Sequence, residues 1–143
     1  MKILVINGPN LNMVGIREKN IYGDISYSSI INMIEEYAKE KDIEVICRQS
    51  NHEGDLVDWI QEAYFEKYDG IIINPGAYTH TSIALLDAIK AISPLPVIEV
   101  HLSDINERDV FRKLSYISEA CFDRVIGLGA KGYLVALDKL IKD

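Results

Sequence analysis

The sequence predicts an α/β fold built on a parallel β-sheet, and two observations carry that prediction. Five short runs rich in β-branched residues lie along the 143 residues, at 2–7, 43–49, 70–74, 96–102 and 122–127. Several runs are continuously apolar, which is typical of strands that helices bury on both faces. Helical patterns lie between the runs, and this alternation indicates βαβ units. Five strands at this length favour a flavodoxin-like, doubly wound five-stranded parallel sheet with helices on both faces.

Four apolar stripes at helical spacing define the expected helices. Ser26 is the expected N-cap of the first helix and Thr81 that of the third, because serine and threonine side chains accept hydrogen bonds from first-turn N–H groups. The stripes in chain order are Ile30, Met33, Ile34, Tyr37 and Ala38; Leu56, Ile60, Ala63 and Tyr64; Ile83, Leu86, Ala88 and Ile89; and Leu134, Leu137 and Ile141. With neither a repeat nor a linker in the sequence, residues 1–143 are expected to form a single domain.

Composition disfavours several classes of partner. Fifteen basic against 22 acidic residues leave a net charge of −7, whereas nucleic acids and anionic membranes attract clustered Lys and Arg. The first apolar run is too short for a signal peptide, and no stretch approaches the ~18 apolar residues of a membrane span, so a cytoplasmic location is expected. Cys47 and Cys121 lack CxxC spacing and are interpreted as buried thiols in a reducing compartment.

The segments that follow the predicted strands carry the polar chemistry. In doubly wound sheets, ligands bind beyond the carboxyl ends of the strands. The first four such segments are rich in Asn, His and Ser and poor in acids, which suits a polyhydroxylated ligand; they are residues 7–12, 49–52, 74–80 and 101–104. Residues 8–23 form a longer connection than the roughly 2–6 residues common after a strand, and we interpret this segment as a lid.

Two pairs of residues suit acid–base chemistry. Arg17 and Tyr22 share the lid segment, and a guanidinium lowers the pKa of a phenol from about 10 towards the range of a useful general base. Glu99 and His101 are two apart on a strand and therefore point to the same face. A carboxylate beside an imidazole fixes its tautomer and favours its charged form, which suits a general acid. The alternatives are a packing role for Tyr22 and a purely structural hydrogen bond between Glu99 and His101.

A G-x-G-x-x-G match at residues 127–132 has two interpretations. It follows a predicted strand and precedes a helix, as a dinucleotide-binding loop does. That fingerprint also needs a further strand and an acid about 20 residues on, and the sequence stops at Asp143. We therefore favour the interpretation that these glycines serve a tight turn and close helix packing.

Three further patterns have a structural interpretation beside the functional one. His80 and His101 lack a third ligand at matching spacing, so no metal site is expected. Arg108 and Arg112 would share one helix face, either solvated or binding a carboxylate or hydroxyl groups. His52 is interpreted as a capping or turn residue rather than a catalyst.

Taken together, these blocks resemble the type II 3-dehydroquinate dehydratases. The matching segments are residues 7–12, 15–18, 21–23, 49–54, 74–82, 98–103, 108, 111–112, 127–130 and 132–133. They occur in the family's order over almost the whole chain. The resemblance implies dehydration of 3-dehydroquinate to 3-dehydroshikimate in the shikimate pathway, towards chorismate and the aromatic amino acids. It also implies no metal or organic cofactor, and a homododecamer built from trimers.

The same resemblance implies a role for each matched residue. Tyr22 would be the general base that removes the proton α to the ketone, with Arg17 favouring its phenolate. Asn10 would help to hold a water against the enolate oxyanion. His101 would protonate the leaving hydroxyl, with Glu99 orienting its ring. The remaining implied roles are binding of ring hydroxyls by Asn74, His80 and Arg112, binding of the carboxylate by backbone N–H groups of Leu102 and Ser103, lid support by Arg108, and a contribution of Asp87 to a neighbouring subunit's site.

Other functions are disfavoured by the same segments. A receiver domain needs acids after the first strand, and a flavin carrier needs a Ser/Thr-rich phosphate loop there, whereas residues 7–10 read Asn-Gly-Pro-Asn. No lysine lies at a strand end to form a Schiff base. A relative that binds substrate without turnover is a further alternative, against which Arg17, Tyr22 and His101 argue.

Overall fold

The computed structural model describes residues 1–16, 25–107 and 109–142, and these contain a parallel sheet of five strands. The strands are β1 (Lys2–Asn7), β2 (Glu44–Gln49), β3 (Gly70–Asn74), β4 (Val97–His101) and β5 (Asp123–Ile126). Their order across the sheet is β2-β1-β3-β4-β5, and every neighbouring pair is parallel. This is the order of a flavodoxin-like doubly wound sheet, so the predicted fold class is confirmed.

Helices cover both faces of the sheet. Within the described residues they are α1 (Tyr27–Glu40), α2 (Glu53–Phe65), α3 (Ile83–Ala91) and α4 (Lys131–Ile141). Helices α1 and α4 pack on one face, and α2 and α3 pack on the other. Successive strand residues alternate between the two cores, so Ile72 lies in the first and Ile71 and Ile73 lie in the second. This two-sided burial explains why the strand runs are continuously apolar. None of the helices described is long and apolar enough to cross a membrane.

The predicted stripes are largely buried, and the exceptions share one physical reason. Tyr64, Ile83 and Ile141 are exposed, so their predicted place in the core is wrong. Each lies in a terminal turn of its helix, where fewer elements pack against the side chain. Ser26 caps α1 as predicted, since its Oγ accepts a hydrogen bond from the Ser29 N–H at 3.2 Å.

The start of α3 differs from the prediction by one residue. Ser82, not Thr81, is the N-cap, and its Oγ accepts a hydrogen bond from the Leu85 N–H at 2.9 Å. A short 3₁₀ helix, Gly76–His80, precedes this point, and the Thr81 N–H closes it by donating to the Tyr78 carbonyl. Thr81 is therefore part of the preceding turn, which leaves Ser82 to satisfy the first N–H groups of α3.

This difference gives a paired prediction for stability. Ser82→Ala removes a side-chain cap that is buried, so we expect it to lower the free energy of unfolding by about 1 kcal/mol. Thr81→Ala removes an exposed side chain that makes no capping bond, and should leave that free energy nearly unchanged. Urea unfolding of the two variants beside the wild-type chain measures the difference. An equal or larger loss for Thr81→Ala would contradict the assignment of the cap.

The cysteines lie on opposite faces of the sheet. Cys47 packs against the core beneath α1 and α4, and Cys121 packs against the core beneath α2 and α3. Both thiols are unpaired and partly buried, rather than fully buried as expected. Burial raises the pKa of the Cys47 thiol to about 12, so this sulfur stays protonated and unreactive at neutral pH.

Candidate active site

Polar side chains collect where the parallel strands end. Asn7, Gln49, Asn74 and His101 are the last residues of β1, β2, β3 and β4. Asn7 stands in register with both Gln49 and Asn74. The segments that follow these four strands therefore meet at one edge of the sheet, as the sequence predicts, and we call this edge the polar rim.

A buried hydrogen-bond network supports the rim from below. The Tyr133 hydroxyl donates to Asn7 Oδ1 at 2.5 Å, and Asn74 Nδ2 donates to the Tyr133 hydroxyl at 3.1 Å. Asn74 Oδ1 accepts the Gly76 N–H at 3.2 Å. Asn74 is almost completely buried, so its amide is held in one orientation by α4 and by its own turn. The sequence does not indicate this role for Tyr133 or Asn7, because only packing brings α4 beside β1 and β3.

Asn51 joins three of the rim loops. Its Oδ1 accepts hydrogen bonds from the Asn10 N–H at 3.0 Å and from Gln49 Nε2 at 3.1 Å. Its carbonyl accepts from the Tyr78 hydroxyl at 2.8 Å. Asn10 itself has a φ of 68°, a left-handed conformation that asparagine tolerates better than most residues. The backbone of Asn10 is therefore fixed at the rim by the loop that follows β2.

Glu99 and His101 lie side by side on β4, as their spacing predicts. Glu99 is fully buried and His101 is 5% exposed, and Glu99 Oε2 contacts His101 Nε2. Nδ1 is then the ring nitrogen that Glu99 does not occupy. Burial alone raises the pKa of the Glu99 carboxyl, but hydrogen bonds from His101, Ser118 and Ser115 outweigh it and hold that pKa below its usual value. The pair thus has the geometry of an imidazole held by an ionised carboxylate.

Two serines and an arginine surround the Glu99 carboxylate. Ser115 Oγ donates to Oε2 at 2.7 Å, and Ser118 Oγ donates to Oε1 at 2.5 Å. Arg124 Nε lies 3.8 Å from Oε2. Both carboxylate oxygens therefore have hydrogen-bond donors, as a buried charge requires. The sequence does not indicate these three contacts, because the residues lie 16 or more positions beyond Glu99.

His80 and Arg112 approach the rim from two neighbouring segments. His80 ends the 3₁₀ helix that follows β3, and its Nδ1 lies 2.7 Å from the Leu114 carbonyl. Arg112 ends a 3₁₀ helix, Val110–Arg112, and its Nε lies 3.7 Å from Asp109 Oδ2. Arg112 therefore lies in a 3₁₀ turn that begins after Asp109, whose ψ of 149° is extended, and not in an α-helix. Arg108, the residue with which Arg112 is predicted to share a helix face, lies outside the described residues.

The glycine motif closes the rim beside β4. Leu102 and Ser103 directly follow that strand, and the Gly129 N–H donates to the Leu102 carbonyl at 2.9 Å. Gly127 and Gly129 have φ values of 76° and 61°, which favour glycine. A Cβ at Gly132 would stand 3.4 Å from two core valines, so α4 packs closely on the sheet here. The interpretation of these glycines as turn and packing residues is confirmed.

The remaining predicted site residues divide into two groups. Asp87 is exposed on α3, away from the core. Arg17, Tyr22 and Arg108 lie outside the described residues.

His52 stands at the N-cap of α2 as a turn residue, although its side chain makes no capping hydrogen bond. Among the residues that the structure describes, no cluster of His, Cys, Asp or Glu is arranged to hold a metal ion.

Comparison with known proteins points to one family. The family model for class II dehydroquinase matches residues 1–141. A curated 3-dehydroquinate dehydratase from Fusobacterium nucleatum is 56% identical, with 99% of this chain and 97% of that protein covered. One from Caldicellulosiruptor bescii is 57% identical, with coverages of 95% and 93%. The crystal structure of a type II dehydroquinase from Butyrivibrio crossotus superposes with a TM-score of 0.97 at 58% identity, over 99% of this chain and 97% of the other.

Proposed function

Because the chain belongs to the class II dehydroquinase family and is an enzyme of that family, we propose that it dehydrates 3-dehydroquinate to 3-dehydroshikimate by anti elimination through an enolate. The observation that supports this mechanism best is the Glu99–His101 pair, buried at the end of β4 within a rim of amide and hydroxyl groups. Such a pair supplies a positioned proton donor, and the amide and hydroxyl groups of the rim suit a polyhydroxylated ring. In this proposal the reaction uses neither a metal nor an organic cofactor.

In the proposed first step, Tyr22 removes the proton α to the ketone. A phenol is a poor base at neutral pH, so Arg17 favours its phenolate form through the guanidinium charge. The electron pair of the broken C–H bond moves to the ketone oxygen and forms the enolate. A water held partly by Asn10 stabilises that oxyanion. The fixed backbone of Asn10, tied to Asn51, supports this role because a preorganised donor needs no rearrangement during the reaction.

In the second step, His101 reacts as the imidazolium: its Nδ1–H protonates the leaving hydroxyl, while its Nε2–H stays bonded to Glu99. The enolate electrons re-form the ketone and create the carbon–carbon double bond as the C–O bond breaks, and water leaves. Glu99 occupies Nε2, so Nδ1 is the nitrogen that faces the substrate. The proton gained by Tyr22 and the proton lost by His101 balance, and exchange with solvent restores both groups. Base and acid belong to different segments of the chain, which suits removal of groups from opposite faces of the ring.

Substrate binding is assigned to groups along the rim. The Asn74 amide has a second N–H beyond the one donated to Tyr133, and it binds a ring hydroxyl together with His80 and Arg112. Backbone N–H groups of Leu102 and Ser103 bind the carboxylate; both residues follow β4 directly. Arg108 supports the lid formed by residues 8–23.

Turnover of 3-dehydroquinate tests the proposal directly. The product contains a conjugated enone, so its ultraviolet absorbance should rise when purified protein is mixed with the substrate. His101→Asn should abolish most of that rise, whereas His52→Asn, which changes a histidine in the turn after β2, should retain it. Folded wild-type protein that produces no absorbance change would refute the proposed activity.

We further propose a homododecamer of trimers in which Asp87 reaches a neighbouring subunit's site. The exposed position of Asp87 on α3 supports this arrangement, since its carboxylate is not used inside its own core. Light scattering of the purified protein should give a mass near twelve chains of 16.1 kDa. A monomer that retains full turnover would contradict the shared site.

We also propose that residues 1–143 form a single catalytic domain. We propose a cytoplasmic location as well, which the two unpaired thiols support.

A further inference from the structure

We propose that Ser115 and Ser118 are a pair of positioning residues that hold the Glu99 carboxylate towards His101, and so set which imidazole nitrogen faces the substrate. The inference rests on the proposed function in which His101 is the acid. It assigns a task to residues 115–118, a segment that no part of the proposed mechanism uses. We call this segment the serine clamp.

The geometry of the carboxylate carries the proposal. Ser118 Oγ donates to Oε1 at 2.5 Å and Ser115 Oγ donates to Oε2 at 2.7 Å, so each oxygen has its own hydroxyl. His101 Nε2 contacts Oε2, the oxygen that Ser115 also holds. With one hydroxyl on each oxygen, rotation of the carboxylate breaks at least one bond to a fully buried charge. The clamp therefore fixes the plane of the carboxylate that receives the imidazole N–H.

Hydroxyl groups are suited to this task because they add donors without adding charge. The titratable or charged groups near Glu99 are His101 on the same strand, Arg124 on β5 and Cys121 after the 3₁₀ helix Ser118–Ala120. Arg124 Nε stands 3.8 Å from Oε2, which is a charge contact and not a hydrogen bond. A cationic donor in place of the Ser115 hydroxyl would attract Oε2 more strongly and would compete with His101 for that oxygen. The two hydroxyls instead stabilise the buried carboxylate while His101 keeps its own contact with Oε2.

The clamp is also joined to the opposite side of the rim. Within the clamp, the Tyr116 N–H donates to the Thr79 carbonyl at 3.0 Å. The carbonyl of Leu114, which directly precedes the clamp, lies 2.7 Å from His80 Nδ1. One short stretch thus contacts the loop after β3 on one side and the buried carboxylate of β4 on the other. The clamp therefore connects the carboxylate that holds the proposed acid to the segment that carries His80.

The test uses Ser115→Ala, Ser118→Ala and the double variant. It measures kcat, KM and the NMR chemical shift of the imidazole N–H proton of His101. Loss of a hydrogen bond to a charged group should lower kcat about tenfold for each single change, with KM changed less than about threefold. Ser118→Thr keeps a hydroxyl and should therefore retain most of the wild-type kcat that Ser118→Ala loses. In the NMR spectrum of the wild-type protein, the Nε2 proton bonded to the buried carboxylate should appear at low field, and in the double variant it should move upfield.

A double-mutant cycle separates positioning from general structural damage. In a Glu99→Gln background the side chain has no charge for the hydroxyls to hold, so Ser118→Ala should lower kcat by less than about twofold. A similar loss in both backgrounds, or a tenfold loss that Ser118→Thr does not restore, would overturn the proposal. An unchanged chemical shift of the Nε2 proton in the double variant would also overturn the proposal. The NMR result does not depend on turnover. It therefore tests whether the clamp positions Glu99 even if the protein fails to dehydrate 3-dehydroquinate.

Discussion

Replacing Tyr22 with phenylalanine is expected to lower kcat by about 10²–10⁴-fold, the usual contribution of a general base. The change deletes one hydroxyl and keeps the ring, so substrate affinity should stay within a few-fold of the wild-type value. Steady-state assays of enone formation measure kcat, and equilibrium binding of the product measures affinity. Tyr64→Phe is a matched control, because Tyr64 is 52% exposed on α2, away from the rim, and should turn over like the wild-type protein.

The pH dependence of the same reaction tests the partner of Tyr22. Arg17→Gln removes the cation that favours the phenolate, so the phenol should lose its proton only at higher pH. The acidic limb of the kcat/KM profile should therefore move to higher pH, with the rate partly recovered in alkaline buffer. Near wild-type turnover by Tyr22→Phe would show that the base is a different group. An unmoved acidic limb in Arg17→Gln would show that Arg17 does not lower the pKa of the base.

Gly8→Ala is expected to be among the most destabilising single substitutions at the rim. A Cβ at Gly8 would lie 2.4 Å from the Pro75 carbonyl oxygen and 2.6 Å from its carbon. These are backbone atoms, which have no rotamer to change, so the turns after β1 and β3 would have to separate. We expect a loss of about 3 kcal/mol in the free energy of unfolding, at the upper end of the usual cost of overpacking.

The same substitution should also impair turnover, because the two turns carry Asn10 and His80. Gly54→Ala is the matched control: it lies in α2, and a Cβ there would meet no atom within 4 Å. It should be neutral or stabilise the protein by up to about 1 kcal/mol. Urea unfolding and the enone assay on both variants check the pair. Wild-type stability in Gly8→Ala would mean that the turns are not in contact.

Much of the rim was predictable because strand patterns are periodic. Asn7, Asn74 and His101 follow apolar runs, and parallel strands place their carboxyl ends at one edge. The shared face of Glu99 and His101 follows from the period of two alone. The periodicity does not show where an element stops, which is why the capping role falls to Ser82 and not to Thr81.

Contacts between loops were not predictable in the same way. Asn51 accepts a hydrogen bond from the Asn10 N–H, although the two residues are 41 positions apart in the sequence. The Tyr133 hydroxyl donates to Asn7, which is 126 positions away. Both depend on the direction in which each connection leaves the sheet. The Ser-x-x-Ser spacing of residues 115 and 118 is visible in the sequence, but nothing in it indicates a carboxylate 16 to 19 residues away.

The sequence by itself determined the class of sheet, the two-sided burial of its strands and the segments that form the rim. These features follow from hydrophobic periodicity, which records the burial of each residue within its own element. Only the tertiary structure decided that Ser115 and Ser118 hold Glu99, that Tyr133 orients Asn74, and that Gly8 meets Pro75. Those contacts join residues on different elements. Their distances are set by how helices and turns pack on the sheet, and no local pattern encodes that packing.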